Sequence, residues 1–218
     1  MKTRLQPVFA GLVNPVKLVF FTQKNACSPC AEQGALLREL STLSDKVHFE
    51  KYDFVLNGDE VMNYKIDKIP ATAVVGRRDF GLRFYGLTVG YEFSSLINDI
   101  VMVSTERTGI DLRLGVLVKS IAENVHLQVM VSLTCPHCTN MVRVAHQLAF
   151  ANENIRADMV DLTQFPYLAQ RYNVTSVPKT IINETASILG ALPAGAVFLE
   201  ILKVVNPERY QAIEKEMT

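Results

Sequence analysis

Cys27-Ser28-Pro29-Cys30 and Cys135-Pro136-His137-Cys138 are the two stretches that decide how this chain is read. They stand 108 residues apart, and the same offset relates Asp53 to Asp161, Tyr64 to Tyr172 and Pro70 to Pro178. Working outward, residues 17–21 stand over 125–129, and 64–72 over 172–180. A constant offset that runs through both motifs and flanks marks an internal repeat. In 218 residues it fills the chain with two copies, which we place at residues 1–108 and 109–218, the boundary lying in Thr105-Glu106-Arg107-Thr108-Gly109.

Each copy carries the same order of elements. A β-rich apolar run (17–22; 127–133) leads into the cysteine pair. The pair opens a segment of helical period, with Ala35, Leu36, Leu40 and Leu43 in the first copy and Met141, Val142, Ala145, Leu148 and Ala149 in the second. A second strand follows (47–54; 155–162), then a short helix (60–64; 167–172) and an Ile-Pro or Val-Pro step into a third strand (71–75; 180–183). A fourth strand (82–85; 186–189) passes through Gly86 or Gly190 into an apolar-faced helix (93–103; 196–204). Leu112, Val116, Leu117 and Ile121 resume the helical period and read as the opening helix of the second copy. The alternation is an α/β plan of two tandem units, each a mixed central sheet with helices on both faces.

Composition narrows the function classes. Lys and Arg number 22 against 22 Asp and Glu, scattered singly or in pairs, so no basic surface is expected to seek nucleic acid or a membrane. A content of 49% hydrophobic and 20% charged residues is that of a globular chain with a substantial core. The short apolar run after the basic N-terminus ends at Asn14-Pro15, and no signal peptide is read there. The apolar stretch 191–202 is interrupted by Glu200 and falls short of the roughly 18 residues that a span requires. The expected compartment is cytoplasmic, where thiols are kept reduced, so four cysteines ask for a role other than a structural disulfide framework. No Gly-rich phosphate loop follows a first strand, and no cofactor is expected on the chain itself.

These residues resemble the thioredoxin fold. The duplicated arrangement resembles the two-unit, glutaredoxin-like protein disulfide oxidoreductases of archaea and bacteria, at Asn14-Pro15-Val16-Lys17-Leu18, Arg83-Phe84-Tyr85-Gly86-Leu87, Glu92-Phe93, the second cysteine pair and Val177-Pro178-Lys179. The second half also resembles the N-terminal relay domain of the alkyl hydroperoxide reductase flavoprotein, at Ser132-Leu133-Thr134-Cys135. In that relative the first cysteine pair is lost, whereas this chain keeps it. The resemblance implies two four-stranded units packed as one body, a cysteine pair at a helix N-terminus in each, and a cis-proline loop beside each pair. It further implies intracellular exchange with disulfide-containing protein substrates, peroxiredoxins among them, and electrons supplied by a thioredoxin-reductase-like flavoprotein.

The chemistry accounts for the residues. Thiolate attack on a sulfur, through a mixed disulfide, needs an exposed and partly ionised first cysteine. Unpaired N–H groups at a helix start can bring a free-thiol pKa near 8.5 down to roughly 3.5–7.5. Cys27 and Cys135 are therefore read as nucleophiles, and Cys30 and Cys138, one turn later, as resolving thiols. Ser28, Pro29, Pro136 and His137 lie inside the pairs and tune pKa and potential, with His137 placed to hold the Cys135 thiolate. Pro70 and Pro178 each follow their pair by 40 residues. A cis bond at each leaves the backbone of Ile69 and Val177 free to pair with an extended substrate. His48, His126 and His146 read as packing or surface residues, and Asp53 and Asp161 as strand-end residues.

Two other readings stand beside the oxidoreductase: a relay dedicated to a peroxiredoxin, and a non-catalytic zinc scaffold. Zinc is disfavoured because Cys30 and Cys135 are 105 residues apart, against the roughly 15–20 of a zinc ribbon, so no metal site is assigned. His137 stabilising a thiolate raises a potential, and about 30 mV is tenfold in the exchange equilibrium. The second site is thus expected to be the more oxidising. Potentials measured separately on the C27S/C30S and C135S/C138S variants check this; equal or reversed values would remove His137 as the tuning group.

Overall fold

The computed structural model describes residues 2–24 and 27–217; Met1 of the N-terminal stretch lies outside the described residues. In chain order the elements are α1 (Lys2–Ala10), β1 (Val16–Thr22), α2 (Ser28–Ser41), β2 (Val47–Asp53), α3 (Gly58–Asn63), β3 (Ala71–Val75), β4 (Asp79–Tyr85) and α4 (Glu92–Thr105). They continue with α5 (Leu112–Lys119), β5 (Val125–Val131), α6 (Cys138–Ala151), β6 (Ile155–Asp161), α7 (Pro166–Arg171), β7 (Lys179–Ile182), β8 (Ala186–Leu189), α8 (Ala194–Val205) and α9 (Pro207–Met217).

All eight strands belong to one mixed sheet in the order β2-β1-β3-β4-β6-β5-β7-β8. Within each half the pairing is the same: β1 runs parallel to β2 and antiparallel to β3, as β5 does to β6 and β7. The halves are joined by β4 running parallel to β6, with Leu82 opposite Ala157 and Tyr85 opposite Val160. Period-2 alternation then divides the core. Leu18, Phe20, Phe84, Leu127, Val129 and Met159 face one large cluster under α2, α4, α6 and α8, while Val19, Phe21, Tyr85, Met130 and Val160 face a smaller one under α3 and α7. Among the described residues no helix is long and apolar enough to cross a membrane.

Several sequence expectations shift here. The strand before the second cysteine pair ends at Val131, because Ser132 and Leu133 turn to give the Cys135 N–H a carbonyl at Ser132. α2 buries Cys30, Gln33, Leu37 and Leu40, whereas Ala35 is exposed and Leu36 only half-buried. A polar residue holds the buried face because Thr72 and Thr88 satisfy the Gln33 amide. The opening helix of the second half is short, capped by the Asp111 carboxylate and closed at Ser120, so Ile121 lies beyond it. Leu112 and Val116 are 87% and 69% exposed, and Val118 and Ile121 supply the contact with the core instead. The 108-residue offset sets α1 over the stretch that forms α5, so α1 opens the first copy as α5 opens the second, while α9 follows the second copy; Leu5 and Phe9 of α1 are buried in the large cluster.

The seam between halves is cross-linked by charge. Asp158 on β6 is fully buried and accepts from Arg156 Nε at 2.8 Å, with His126 Nε2 at 2.7 Å. Arg156 also donates to the Tyr85 hydroxyl and the Lys65 carbonyl, both at 2.7 Å, across the seam. Burial alone would raise the Asp158 pKa, but the His126 hydrogen bond and the Arg156 charge outweigh it and hold the carboxyl well below the usual range. A carboxyl with a depressed folded pKa contributes stability that is complete above the unfolded value and is lost as pH falls towards the folded one. Asp158→Asn should therefore cost about 3 kcal/mol at neutral pH by leaving Arg156 uncompensated. Urea unfolding at neutral and acid pH checks this, the gap to the parent narrowing in acid.

Candidate active site

Both cysteine pairs sit in the same backbone turn. The Cys30 N–H donates to the Cys27 carbonyl and the Cys138 N–H to the Cys135 carbonyl, each at 3.3 Å. In each pair the first cysteine is half-buried and the second is buried in the large core cluster. Cys27 and Cys30 are joined as a disulfide, and Cys135 and Cys138 are free thiols. Ser28, Pro136 and His137 are exposed at the helix starts and Pro29 is half-buried. His137 caps α6 with its backbone only, and no side-chain hydrogen bond ties it to Cys135.

The Ile69–Pro70 and Val177–Pro178 bonds are both cis. Pro70 and Pro178 are buried, while Ile69 and Val177 are partly open. The Cys135 thiol points at the Val177 carbonyl, 3.8 Å away, so the second pair and its proline loop form one surface. What holds these loops is a clamp absent from the sequence expectations. Lys65 and Asn173, 108 residues apart, both adopt left-handed backbone. Arg83 donates twice to the Tyr64 carbonyl and Arg156 to that of Lys65. In the second half Lys179 alone reaches the carbonyls of Tyr172 and Asn173, at 2.8 and 3.1 Å.

The first half also contributes directly to the second pair. Gly90, at φ +60°, lies so close to Leu133 that an added Cβ would fall 2.5 Å from its carbonyl oxygen. This is a position only glycine fills. The contact, with the Tyr91 N–H donating to the same carbonyl, seats the start of α4 against the loop that carries Cys135. α4 thereby brings in Glu92, a fully buried carboxyl whose Oε2 accepts from Ser95 at 2.7 Å and whose Oε1 has no partner. Burial pushes the Glu92 pKa up to about 7, with the Ser95 hydrogen bond and His146 opposing, and Asp99 and Asp161 adding to the rise. The Cys138 thiol is pushed far above its ordinary range, first by burial and then by its hydrogen bond with Cys135, with a smaller push from the Glu92 charge. A carboxyl that changes state near neutral pH thus lies within electrostatic reach of a thiol that resists losing its proton.

In the sequence Glu92 figures only as part of a resemblance. The signal that marks it is Glu92, Ser95 and Asp99 at i, i+3 and i+7, one polar stripe on a helix otherwise rich in buried Leu, Ile and Val. The corresponding polar group beside the first pair is the neutral Gln33 amide. His146 is buried and contacts the buried Asp99 carboxylate, and His126 braces Asp158. Asp53 and Asp161 end their strands, each accepting at 2.9 Å from the N–H two residues on. Among the described residues no group of three His, Cys, Asp or Glu side chains comes together to hold a metal.

Comparison with known proteins agrees with this geometry. A thioredoxin-domain family model matches residues 125–203. An alkyl hydroperoxide reductase subunit of Pseudomonas aeruginosa is 30% identical over 185 residues, which cover 84% of this chain and 33% of that protein. The N-terminal domain of the alkyl hydroperoxide reductase AhpF of Enterococcus faecalis superposes with a TM-score of 0.87 at 25% identity, covering 92% of this chain and 97% of that one. A protein disulfide oxidoreductase from Aeropyrum pernix superposes with a TM-score of 0.89 at 23% identity over 94% of this chain and 92% of its own, a likeness of fold. The chain spans a third or less of the length of the curated relatives it matches. Because the matched domain contains the second cysteine pair and the same architecture continues through the first, the chain is a thioredoxin-fold protein, similar over most of its length to the N-terminal domain of the alkyl hydroperoxide reductase AhpF.

Proposed function

We propose that this chain is a dithiol–disulfide oxidoreductase of two units, residues 1–108 and 109–218, each with its own cysteine pair. The observation that carries the reading is the second pair: a half-exposed thiol beside the Val177 carbonyl of a cis Val-Pro bond, with a buried partner thiol that lies within electrostatic reach of an ionisable carboxyl. In the forward direction the Cys135 thiolate attacks a substrate disulfide, forming a Cys135–substrate bond and releasing one substrate thiolate, which takes a proton from solvent. Cys138 then gives its proton to the Glu92 carboxylate and attacks the Cys135 sulfur. The Cys135–Cys138 bond forms, the second substrate thiolate leaves, and Glu92 returns the proton to it. Two electrons and two protons have passed to the substrate, and a reduced partner must restore the pair.

Cys27 and Cys30 perform the same exchange in the first unit, where the polar neighbour is Gln33 rather than a carboxyl. The backbone of Ile69 and Val177 receives the substrate as an added strand beside Pro70 and Pro178. Ser28, Pro29, Pro136 and His137 set the relative potentials. The likeness to alkyl hydroperoxide reductase AhpF supports a place between a flavoprotein donor and a peroxiredoxin-type acceptor in the cytoplasm.

Trapping tests the assignment of roles. In a C27S/C30S background, C138S should accumulate a mixed disulfide with an insulin chain at Cys135, whereas C135S should accumulate none; the reverse pattern would exchange the two cysteines, and no adduct in either would remove the reading. Glu92→Gln should slow resolution of the mixed disulfide about a hundredfold, the size of a lost proton acceptor, read by rapid quench at pH about 8. The same variant should unfold later in urea. Glu92 has its folded pKa raised from 4.5 to about 7, so between those values the folded chain binds the extra proton and stability falls as pH rises. Above about pH 7 the glutamine should recover on the order of 3 kcal/mol, and below about pH 4 nothing.

A further inference from the structure

The loop between β4 and α4 brings one large, largely apolar side chain of the first half to the second cysteine pair and gives it no partner there. Tyr91 is 50% exposed, and among the described residues nothing bonds its hydroxyl. Its backbone, by contrast, is held on both sides. The Tyr91 N–H donates to the Leu133 carbonyl at 3.2 Å, and the Tyr91 carbonyl accepts from the Ser94 N–H and hydroxyl at 3.1 and 2.7 Å. Gly90, the residue before it, lies against the same Leu133 carbonyl. The ring is thus anchored beside the loop that carries Cys135 by contacts in which it takes no part.

Gly90, Tyr91, Leu133 and Thr134 line a shallow, largely apolar depression of about 410 Å³, with no charged side chain among them. One wall runs directly into the first cysteine of the pair: the Cys135 N–H donates to the Ser132 carbonyl at 3.0 Å, which folds Leu133 and Thr134 into the turn before it. Reach decides what meets this surface. A disulfide sets its two Cα atoms about 5.5–6 Å apart. In an extended chain the residue two positions from the bonded cysteine lies about 7 Å from it and points to the same side. Leu133 likewise stands two residues from Cys135, at most about 7 Å away. A substrate joined to Cys135 therefore has its second neighbour within reach of the depression. The first pair differs in sequence at this point, where the 108-residue offset puts Lys24-Asn25-Ala26 under Ser132-Leu133-Thr134.

We propose that Tyr91 and Leu133 form a subsite of the second cysteine pair that takes an apolar side chain two residues from the substrate cysteine, so that the first half sets substrate choice at the second. The inference rests on Cys135 as the nucleophile. The substrate class is a protein disulfide flanked by leucine- or phenylalanine-type side chains. Such a side chain removes the ring and Leu133 from water as it binds, whereas a small polar one gains little by lying there. Tyr91 is a specificity residue and takes no part in the exchange itself.

The experiment uses the full chain in reduced form and two pentapeptides. Each has a central cysteine carrying nitrothiobenzoate, a serine on either side of it, and either leucine or serine at both ends. Cys135 attacks the peptide sulfur, the Cys135–peptide bond forms and the nitrothiobenzoate anion leaves as the chromophore; Cys138 then closes the Cys135–Cys138 bond and releases the peptide thiolate. In C27S/C30S the second-order rate constant for chromophore release should be about tenfold higher for the leucine peptide. In Tyr91→Ala on that background the ratio should fall below about twofold, with the serine peptide unchanged, and in Tyr91→Phe it should stay as in the parent. An unchanged rate with the serine peptide also reports an intact loop. In C135S/C138S, which leaves the first pair, the two peptides should react alike and Tyr91→Ala should alter neither. A parent ratio near one, a ratio retained in Tyr91→Ala, or an equal fall for both peptides overturns the subsite while leaving Cys135 as the nucleophile. No chromophore from C27S/C30S with either peptide overturns the reading of Cys135 itself.

Discussion

The parallel pairing of β4 with β6 is the constraint on which the rest of the molecule depends. It turns two four-stranded halves into one sheet, and a continuous sheet has a continuous face. Helices from different halves must then share that face, which is why α4 packs on α6 as closely as on its own strands. From this follows the unequal partnership at the second cysteine pair. Its thiols come from one half, and the buried carboxyl within electrostatic reach of Cys138 comes from the other.

The same pairing makes two similar sequences physically different. β4 is buried along nearly its whole length, whereas its counterpart β8 is a sheet edge with one buried residue. Gly86, at the end of β4, admits no Cβ because Asp161 lies against it, while Gly190 after β8 faces open space. The carbonyl clamp before each cis-proline is likewise made twice, by two arginines at the seam and by one lysine near the edge. The repeat keeps the backbone turn at the cysteine pairs and leaves each copy's surroundings to be set by position in the sheet.

Polarity and stability pull apart in the α4–α6 seam. An apolar stripe there would bury the same area without desolvating a carboxyl, and each of Glu92, Asp99 and His146 breaks the apolar pattern of its helix. Places where local rules fail inside a well-packed core tend to be places of function. The neutral, fully bonded Gln33 network beside the first pair shows the alternative that the fold also accommodates.

The sequence by itself determined the repeat, the α/β order of elements, both cysteine pairs and the X-Pro steps, because each is carried by residues near one another in the chain and by a period of 2 or 3.6. Element ends moved by up to three residues, and the apolar stripe of α5 turned outward, since periodicity reports a face without saying whether a neighbour covers it. The tertiary structure alone decided that the halves share one sheet, that Gly90 lets α4 approach the second pair, and that Glu92, Asp99 and His146 are buried where α4 meets α6. Those contacts join α4 to α6 and its loop, on opposite sides of the repeat boundary. Their charges acquire meaning only from the low-dielectric seam that packing creates.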